Sequence, residues 1–533
     1  MHRHSWKFWA AAVLSAGLLE LPFPLAGPMP PWRSIFAWFA LVPLLGAVLS
    51  AGNLQSGHPL RRAFLLGYVC GVLWYAGNCY WIYDTMYIYG GLPAWASAVM
   101  LAGFSLVLGL YFGVFAWGVA LVRRATGDLR WALAAAPFLW VALDLAAARI
   151  TSVPWDQLGY SQVDNTLLTY LAPLTGVYGI SFVLMAVNAL IAGGLLIERC
   201  RIRRITGICG IILGWGLTAG IFVHPPAPAP TATAVLIQPN LNVGVDNNWS
   251  GRIWDQHIAQ FAQLAQGYCV LSGPSGECAG APNPTHPDLV VWPESPAPFF
   301  EDDPRFEQAM SAIAQGVHAP LIVNAIGTDY SAAENQSDDF VSAVVFNAEG
   351  QRVGRYDKIH LVPFGEYIPF HQVFFFAHKL AGAVPNFTHG KIRKVFLLDG
   401  HRYGVFICYE AVFADEVRQF TRLGAQVLVN ISDDGWYGDT SAPWQHLNMA
   451  RMRAIENRRW LLRDTNNGVT ASIDPYGHVR QSIPRHRVGA LPAQFGYRED
   501  ITFYTAHGDV FAWVCAIFTL AVVGWSGRKL AGG

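Results

Sequence analysis

The first 225 residues of this chain are filled by long stretches that carry little or no charge. About 20 consecutive apolar residues cross a bilayer as a helix, which satisfies its own backbone polar groups there. Spans are expected near 8–25, 34–51, 63–83, 92–122, 131–148, 170–197 and 205–223, with an eighth near 510–527. Glu20, Pro22 and Pro24 make the first of these the least regular. No small-residue cleavage site follows it, so it reads as a span and not as a signal peptide. The fourth is long enough to tilt or to run past the lipid. Only 14% of the 533 residues are charged, against about a quarter in soluble proteins. Twenty Trp residues suit aromatic belts at the two membrane surfaces.

Lys and Arg alternate between the short connections. Arg3 and Lys7, Arg61 and Arg62, Arg123, Arg124 and Arg130, Arg199, Arg201, Arg203 and Arg204, and finally Arg528 and Lys529 all fall on one side. The intervening connections hold one Arg near a membrane edge (Arg33, Arg149) or none. This bias predicts cytoplasmic termini and an exterior block at 231–508. The chain is too long for one ordinary core. It divides into a membrane domain of seven helices at 1–230, the polar block at 231–508, and a last helix and tail at 509–533. A formal net charge of zero offers no basic face for nucleic acid.

After the stiff linker His224-Pro-Pro-Ala-Pro-Ala-Pro230, β-rich runs alternate with helical stretches. Strands are expected at 233–238, 289–292, 321–327, 343–347, 404–408, 426–431, 461–464 and 470–474, and helices at 251–267, 304–316, 412–423 and 442–458. Continuous apolar strands imply burial on both faces, hence an α/β sandwich with helices outside. The 444–458 run reads as an amphipathic helix flanking the core, with its Arg residues solvated. Of eight Cys residues, Cys70, Cys79, Cys200, Cys209 and Cys515 fall in or beside spans, mostly as small apolar fillers. Cys269 and Cys278 flank an exterior loop, where an oxidising compartment permits a disulfide. Cys/His spacing of the zinc type is missing, as is a phosphate-cradling glycine loop, so neither metal nor cofactor is expected.

Cys408 is left as the unpaired exterior thiol, in Arg402-Tyr-Gly-Val-Phe-Ile-Cys-Tyr-Glu410. Glu294 ends the similar run Leu289-Val-Val-Trp-Pro-Glu-Ser295, and Lys358 lies in Arg355-Tyr-Asp-Lys-Ile-His-Leu-Val-Pro-Phe-Gly-Glu-Tyr367. A free thiol is only a few per cent thiolate at neutral pH, so it needs a base. A carboxylate supplies one, and an ammonium steadies the tetrahedral oxyanion that follows. Glu294, Lys358 and Cys408 fit these roles, and acyl transfer through a thioester is the reaction class they point to. Each residue alone has a plainer reading: a packed Cys, a turn Glu, a solvated Lys.

These strings resemble the carbon–nitrogen hydrolase (nitrilase) superfamily across the whole 231–508 block. Within it the chain is similar to the bacterial apolipoprotein N-acyltransferase family. Further matches are Pro154-Trp-Asp-Gln-Leu-Gly-Tyr-Ser-Gln162, Pro443-Trp-Gln-His-Leu-Asn-Met-Ala-Arg-Met-Arg-Ala454 and Thr465-Asn-Asn-Gly468. The resemblance implies an αββα sandwich held outside the bacterial inner membrane, acting as a monomer with Glu294, Lys358 and Cys408 as a catalytic triad. Cys408 would take a fatty acyl group from a membrane phospholipid and pass it to the N-terminal amine of a lipoprotein's diacylglyceryl-cysteine. Glu366 would support Lys358 and Glu294, Tyr409 and Glu410 would shape the pocket, and Trp249 would lie near its mouth. Two departures stand out: Asp433 replaces the family's amide in Ser432-Asp-Asp-Gly-Trp-Tyr-Gly438, and Asp144 stands where a Glu is usual in the fifth span. An intramembrane acid is a functional candidate by default. The competing readings are a membrane-tethered amidase or nitrile hydrolase on the same triad, and a transporter or scaffold with a nitrilase-like lid.

Overall fold

The computed structural model describes residues 5–50, 57–197, 200–226, 228–242, 252–266, 270–272, 277–279, 286–294, 299–331, 336–367 and 386–532. The membrane half is helical: α1 Ser5–Glu20, α2 Pro31–Leu49, α3 Pro59–Asn78, α4 Trp81–Tyr89, α5 Ala94–Thr126, α6 Leu129–Ile150, α7 Val177–Leu196 and α8 Ile202–Phe222. Small residues let α3 and α5 approach closely, as helices in lipid commonly do. A Cβ added at Gly109 or Gly113 of α5 would lie 2.6 Å from Val72 or 2.8 Å from Phe64 of α3.

Eight spans were expected. Among the described residues six helices are long and apolar enough, or seven if α3 and α4, bent by 50°, count as one. The first expected span forms the 16-residue α1. At 1.5 Å per residue it reaches about 24 Å, short of a hydrocarbon core of about 30 Å. The expected 63–83 span breaks at the 50° bend after Asn78. The 170–197 span begins only at Val177, because Gly176 turns the chain at φ 64°. α5, at 33 residues, runs about 50 Å and outreaches the bilayer.

The other half is built on two six-stranded sheets. Its strands are β1 Ala232–Gln238, β2 Val270–Ser272, β3 Glu277–Ala279, β4 Leu289–Val291, β5 Leu321–Ser331, β6 Gln336–Phe346, β7 Arg352–Asp357, β8 Val395–Leu398, β9 His401–Ile407, β10 Val427–Ser432, β11 Leu461–Thr465, β12 Thr470–Ile473, β13 Val479–Ile483 and β14 Gly489–Phe495. The orders are β14-β1-β4-β5-β6-β7 and β13-β12-β11-β10-β9-β8, with β2 and β3 a separate hairpin. Helices α9 Arg252–Ala265, α10 Pro304–Val317, α11 Ala414–Arg422 and α12 Ala442–Asn457 complete the layers, and α13 Val510–Ala531 returns to the membrane half. The inner strands β1 and β4 and the first half of β5 are covered on both faces because their apolar runs have no polar gaps. Ala234, Leu236, Leu289, Val291 and Ile322 pack with the second sheet. Val235, Ile237, Val290, Trp292 and Val323 pack instead on Phe261, Phe306 and Met310 of α9 and α10. The result is the expected αββα sandwich.

α12 overturns one expectation, because its Arg residues are not solvated. Leu447, Ala450 and Ala454 join the sandwich core, whereas Met449, Met452 and Ile455 join the membrane-half core. Arg453, fully buried, pairs with Glu456 at 3.1 Å and donates to the Tyr160 hydroxyl at 2.8 Å. Arg451 pairs with Asp164 at 2.5 Å. Both Arg residues therefore reach partners in the 158–164 segment of the membrane half.

Candidate active site

β9, which lies between β10 and the edge strand β8 of the second sheet, delivers Cys408 at its end. The chain turns there into the 3-10 turn Cys408–Val412, and Cys408 takes a left-handed φ of 47°. For a residue with a Cβ this stores roughly 1–3 kcal/mol, so the surroundings must hold it. Glu410, fully buried, does part of that holding. Its Oε2 accepts from the Ile407 N–H at 2.7 Å. Its Oε1 accepts from the Tyr356 hydroxyl at 2.7 Å and from the N–H groups of Ile359 and His360 at 2.7 and 3.2 Å. Burial pushes this carboxyl up, while the donors around it pull the other way. One side chain thus ties the turn at Cys408 to the loop that follows Lys358. Glu410→Ala should strand several buried donors and cost about 2–4 kcal/mol. Thermal melting checks this, and a variant as stable as the parent would dismiss the tie.

Lys358 follows β7 and has no exposed surface. Its Nζ lies 2.8 Å from Glu294 Oε1 and 2.6 Å from Glu366 Oε1. Glu294 Oε2 accepts the Asp433 N–H at 3.1 Å, and Glu366 Oε2 accepts the Val362 N–H at 2.7 Å. Burial alone would lower the Lys358 pKa, but the two carboxylates override it and hold the ammonium well above the ordinary lysine range. The Cys408 thiol is pushed well up, by burial first and Glu294 second, with Lys358 opposing. The resting sulfur is therefore a thiol that feels both a carboxylate and an ammonium. Burial also raises Glu366. The sandwich thus joins residues from the ends of β4 and β7 in one sheet and β9 in the other.

Tyr409 faces the membrane half: its hydroxyl donates to Ser152 O at 3.2 Å, and its ring stacks on Trp155 at 6.4 Å. Asp433 is fully buried beside Glu294, and burial pushes its carboxyl well up. Its carboxyl thus stands where an amide was expected, accepting from Gly435 N–H at 2.9 Å and Asn466 Nδ2 at 3.2 Å. Asp144 lines a small aromatic cavity in the membrane half with Tyr75, Tyr111 and Trp140. Trp249 and Cys269 lie outside the described residues. Sequence reasoning passed over Asp434, His446 and Arg463, all fully buried behind Cys408. Their signal was available, since Asp434 and His446 sit inside two of the quoted strings.

Residues 15–190 match the family model described as apolipoprotein N-acyltransferase N-terminal domain, and residues 255–490 match the carbon-nitrogen hydrolase model. An apolipoprotein N-acyltransferase of Geobacter metallireducens is 34% identical over 97% of this chain and 95% of its own length. The chain belongs to the apolipoprotein N-acyltransferase family. A Pseudomonas putida member is 31% identical over 87% of this chain and 88% of its own length. This membership makes the protein an acyltransferase on a carbon–nitrogen hydrolase fold. With its apolar helices it also makes it a bacterial membrane protein. An amidase structure from Nesterenkonia sp. is similar at 17% identity and a TM-score of 0.36, covering 54% of this chain and 98% of its own, too remote to bear on substrate.

Proposed function

We propose that the protein moves a fatty acyl group from a membrane phospholipid to the N-terminal amine of a diacylglyceryl-cysteine apolipoprotein, through a thioester on Cys408. The observation that carries this is Lys358, wholly buried between Glu294 and Glu366 beside the thiol. Glu294 takes the Cys408 proton as sulfur attacks the ester carbonyl. The S–C bond forms, Lys358 steadies the oxyanion, the C–O bond breaks, and the proton passes to the departing lysophospholipid oxygen. In the second half the neutral α-amine attacks the thioester. The N–C bond forms, the S–C bond breaks, and the surplus amine proton returns through Glu294 to the thiolate. An α-amine of pKa about 7.7–8.0 is partly neutral without help. Tyr409 and Glu410 shape the site, Glu366 supports Lys358, and Trp249 borders the mouth. One chain supplies every group, so a monomer suffices, with no cofactor.

The membrane is the bacterial inner membrane, with the catalytic block at 231–508 on its outer side, the seven-helix membrane domain at 1–230 and the last helix at 509–533. The Arg positions support this orientation. α5 and α13 end in Arg123 and Arg124, and in Arg528 and Lys529, while Thr85 of α4, just ahead of α5, donates to Trp436 O of the sandwich half at 3.1 Å. Arg149, at the far end of α6, instead pairs with Asp415 at 3.1 Å and Asp509 at 2.5 Å. Incubation with phospholipid alone should leave an acyl-mass adduct on Cys408 by intact-mass analysis, cleared by a diacylated lipopeptide to give an acyl-amide. Free fatty acid or ammonia without acyl-amide would favour a hydrolase instead.

A further inference from the structure

The acyl transfer above leaves without a role the second set of buried groups behind the nucleophile. Arg463 NH2 donates to Asp434 Oδ2 at 2.7 Å and Oδ1 at 3.0 Å. Asp434 Oδ1 lies 2.9 Å from His446 Nδ1, and His446 Nε2 lies 3.0 Å from the backbone oxygen of Cys408. Ser432 Oγ donates to the same Asp434 oxygen at 3.1 Å. The imidazole stacks on Trp155 at 6.1 Å and meets Tyr437 edge-on at 6.1 Å.

A carbonyl oxygen only accepts, so Nε2 must carry the proton that meets Cys408. With Nε2 bare, two lone pairs would face each other. The Asp434 carboxylate 2.9 Å from Nδ1 likewise only accepts, so a proton on Nδ1 meets it, while Arg463 binds the same carboxylate from its other side. Burial and the Arg463 charge hold the ring's pKa down, while Asp434 and the Cys408 carbonyl pull it the other way. The consequence falls on Cys408. Its preceding peptide is held by Glu410 through the Ile407 N–H, and its own carbonyl by His446. The two grips bracket a residue at a φ of 47°, a conformation that relaxes when unsupported. The helix that carries His446 is itself anchored one residue earlier. Gln445 accepts from Trp155 Nε1 at 2.9 Å and donates to Asn78 O at 3.0 Å, both in the membrane half.

We propose that His446, oriented by Asp434 and Arg463, is a positioning residue: its Nε2–H holds the Cys408 carbonyl and so keeps the thiol aimed between Glu294 and Lys358. This rests on Cys408 being the acylated nucleophile. The test compares His446→Gln, whose amide N–H reaches about as far as Nε2, with His446→Met, of similar length but without a donor. Full-length protein is mixed with phosphatidylethanolamine–phosphatidylglycerol vesicles, and acyl-enzyme formation is followed by intact mass. At saturating phospholipid His446→Met should acylate about a hundred-fold slower, and His446→Gln within about ten-fold of the parent, as expected for a misplaced reacting atom. Half-saturating phospholipid should be unchanged in both. A His446→Met rate within two-fold of the parent's overturns the proposal, and so does a folded His446→Gln that falls as far as His446→Met. If His446→Met does not fold, His446→Gln decides alone, and a hundred-fold loss in its folded form rejects the grip. A parent that forms no adduct on Cys408 would instead sink the acyl-transfer reading itself.

Discussion

Cys408→Ala loses thioester formation and lipopeptide N-acylation together, with a fall of about 10⁴-fold or more, while the protein still folds. The size of the loss follows from covalent catalysis: without sulfur no acyl-enzyme forms, and what remains is binding and electrostatics. The mild effect on folding follows from the position. Alanine removes one sulfur atom from a site already gripped by Glu410 and His446. It keeps the Cβ that the left-handed turn already tolerates. A small buried truncation of this kind costs about 1 kcal/mol. The measurement is the mass of a diacylated lipopeptide after incubation with enzyme and phospholipid, alongside a melting curve. Should the variant acylate the lipopeptide at the parent's rate, Cys408 is a packing residue and the acyl chain travels by another route.

The strands read from sequence are the ones covered on both sides. β4 and β10 are continuous apolar runs because layers lie above and below them. The unread strands β7, β8, β13 and β14 are the four sheet edges, and β2 and β3 form the separate hairpin. An edge strand needs no full apolar code. β13 is mostly exposed, and β14 carries Pro492, which an edge accommodates. Only the last residues of β6 were legible, since its first half is Gln336-Ser-Asp-Asp339. The Glu294, Lys358 and Cys408 set was legible because each residue ends or follows a compact strand string. The setting of α12 was not, for a different reason. Its Arg residues look like a solvated face until Tyr160 and Asp164, almost 300 residues earlier, come to meet them. Local pattern records how polar a residue is, and only the fold records who its partner is.

Lys358→Met is the harsher test of the site, because it attacks stability and chemistry at once. Met fills a similar volume, so little of its effect can come from packing. What it removes is the ammonium held between Glu294 and Glu366. Breaking a buried ion pair on one side costs about 3–5 kcal/mol, since the remaining charge has no water to return to. Two facing carboxylates then share a proton, and their pair titrates above the ordinary carboxylate range. The sign follows from that shift. A folded-state pKa above the unfolded value near 4.3 gives a contribution that is present at low pH and lost as pH rises. The variant should therefore melt closer to the parent at pH 5 than at pH 8. In the parent the Lys358 pKa is itself raised, so its contribution persists through neutrality and fades only above the ordinary lysine value. Acylation should fall by about 10³-fold or more, because the shared proton blocks Glu294 as base and the oxyanion loses its partner. Lys358→Arg should not rescue it, since a planar fork does not fit a fully buried point-charge site. A variant that melts with the parent at pH 8 and still acylates Cys408 would show that the buried ammonium is a spectator.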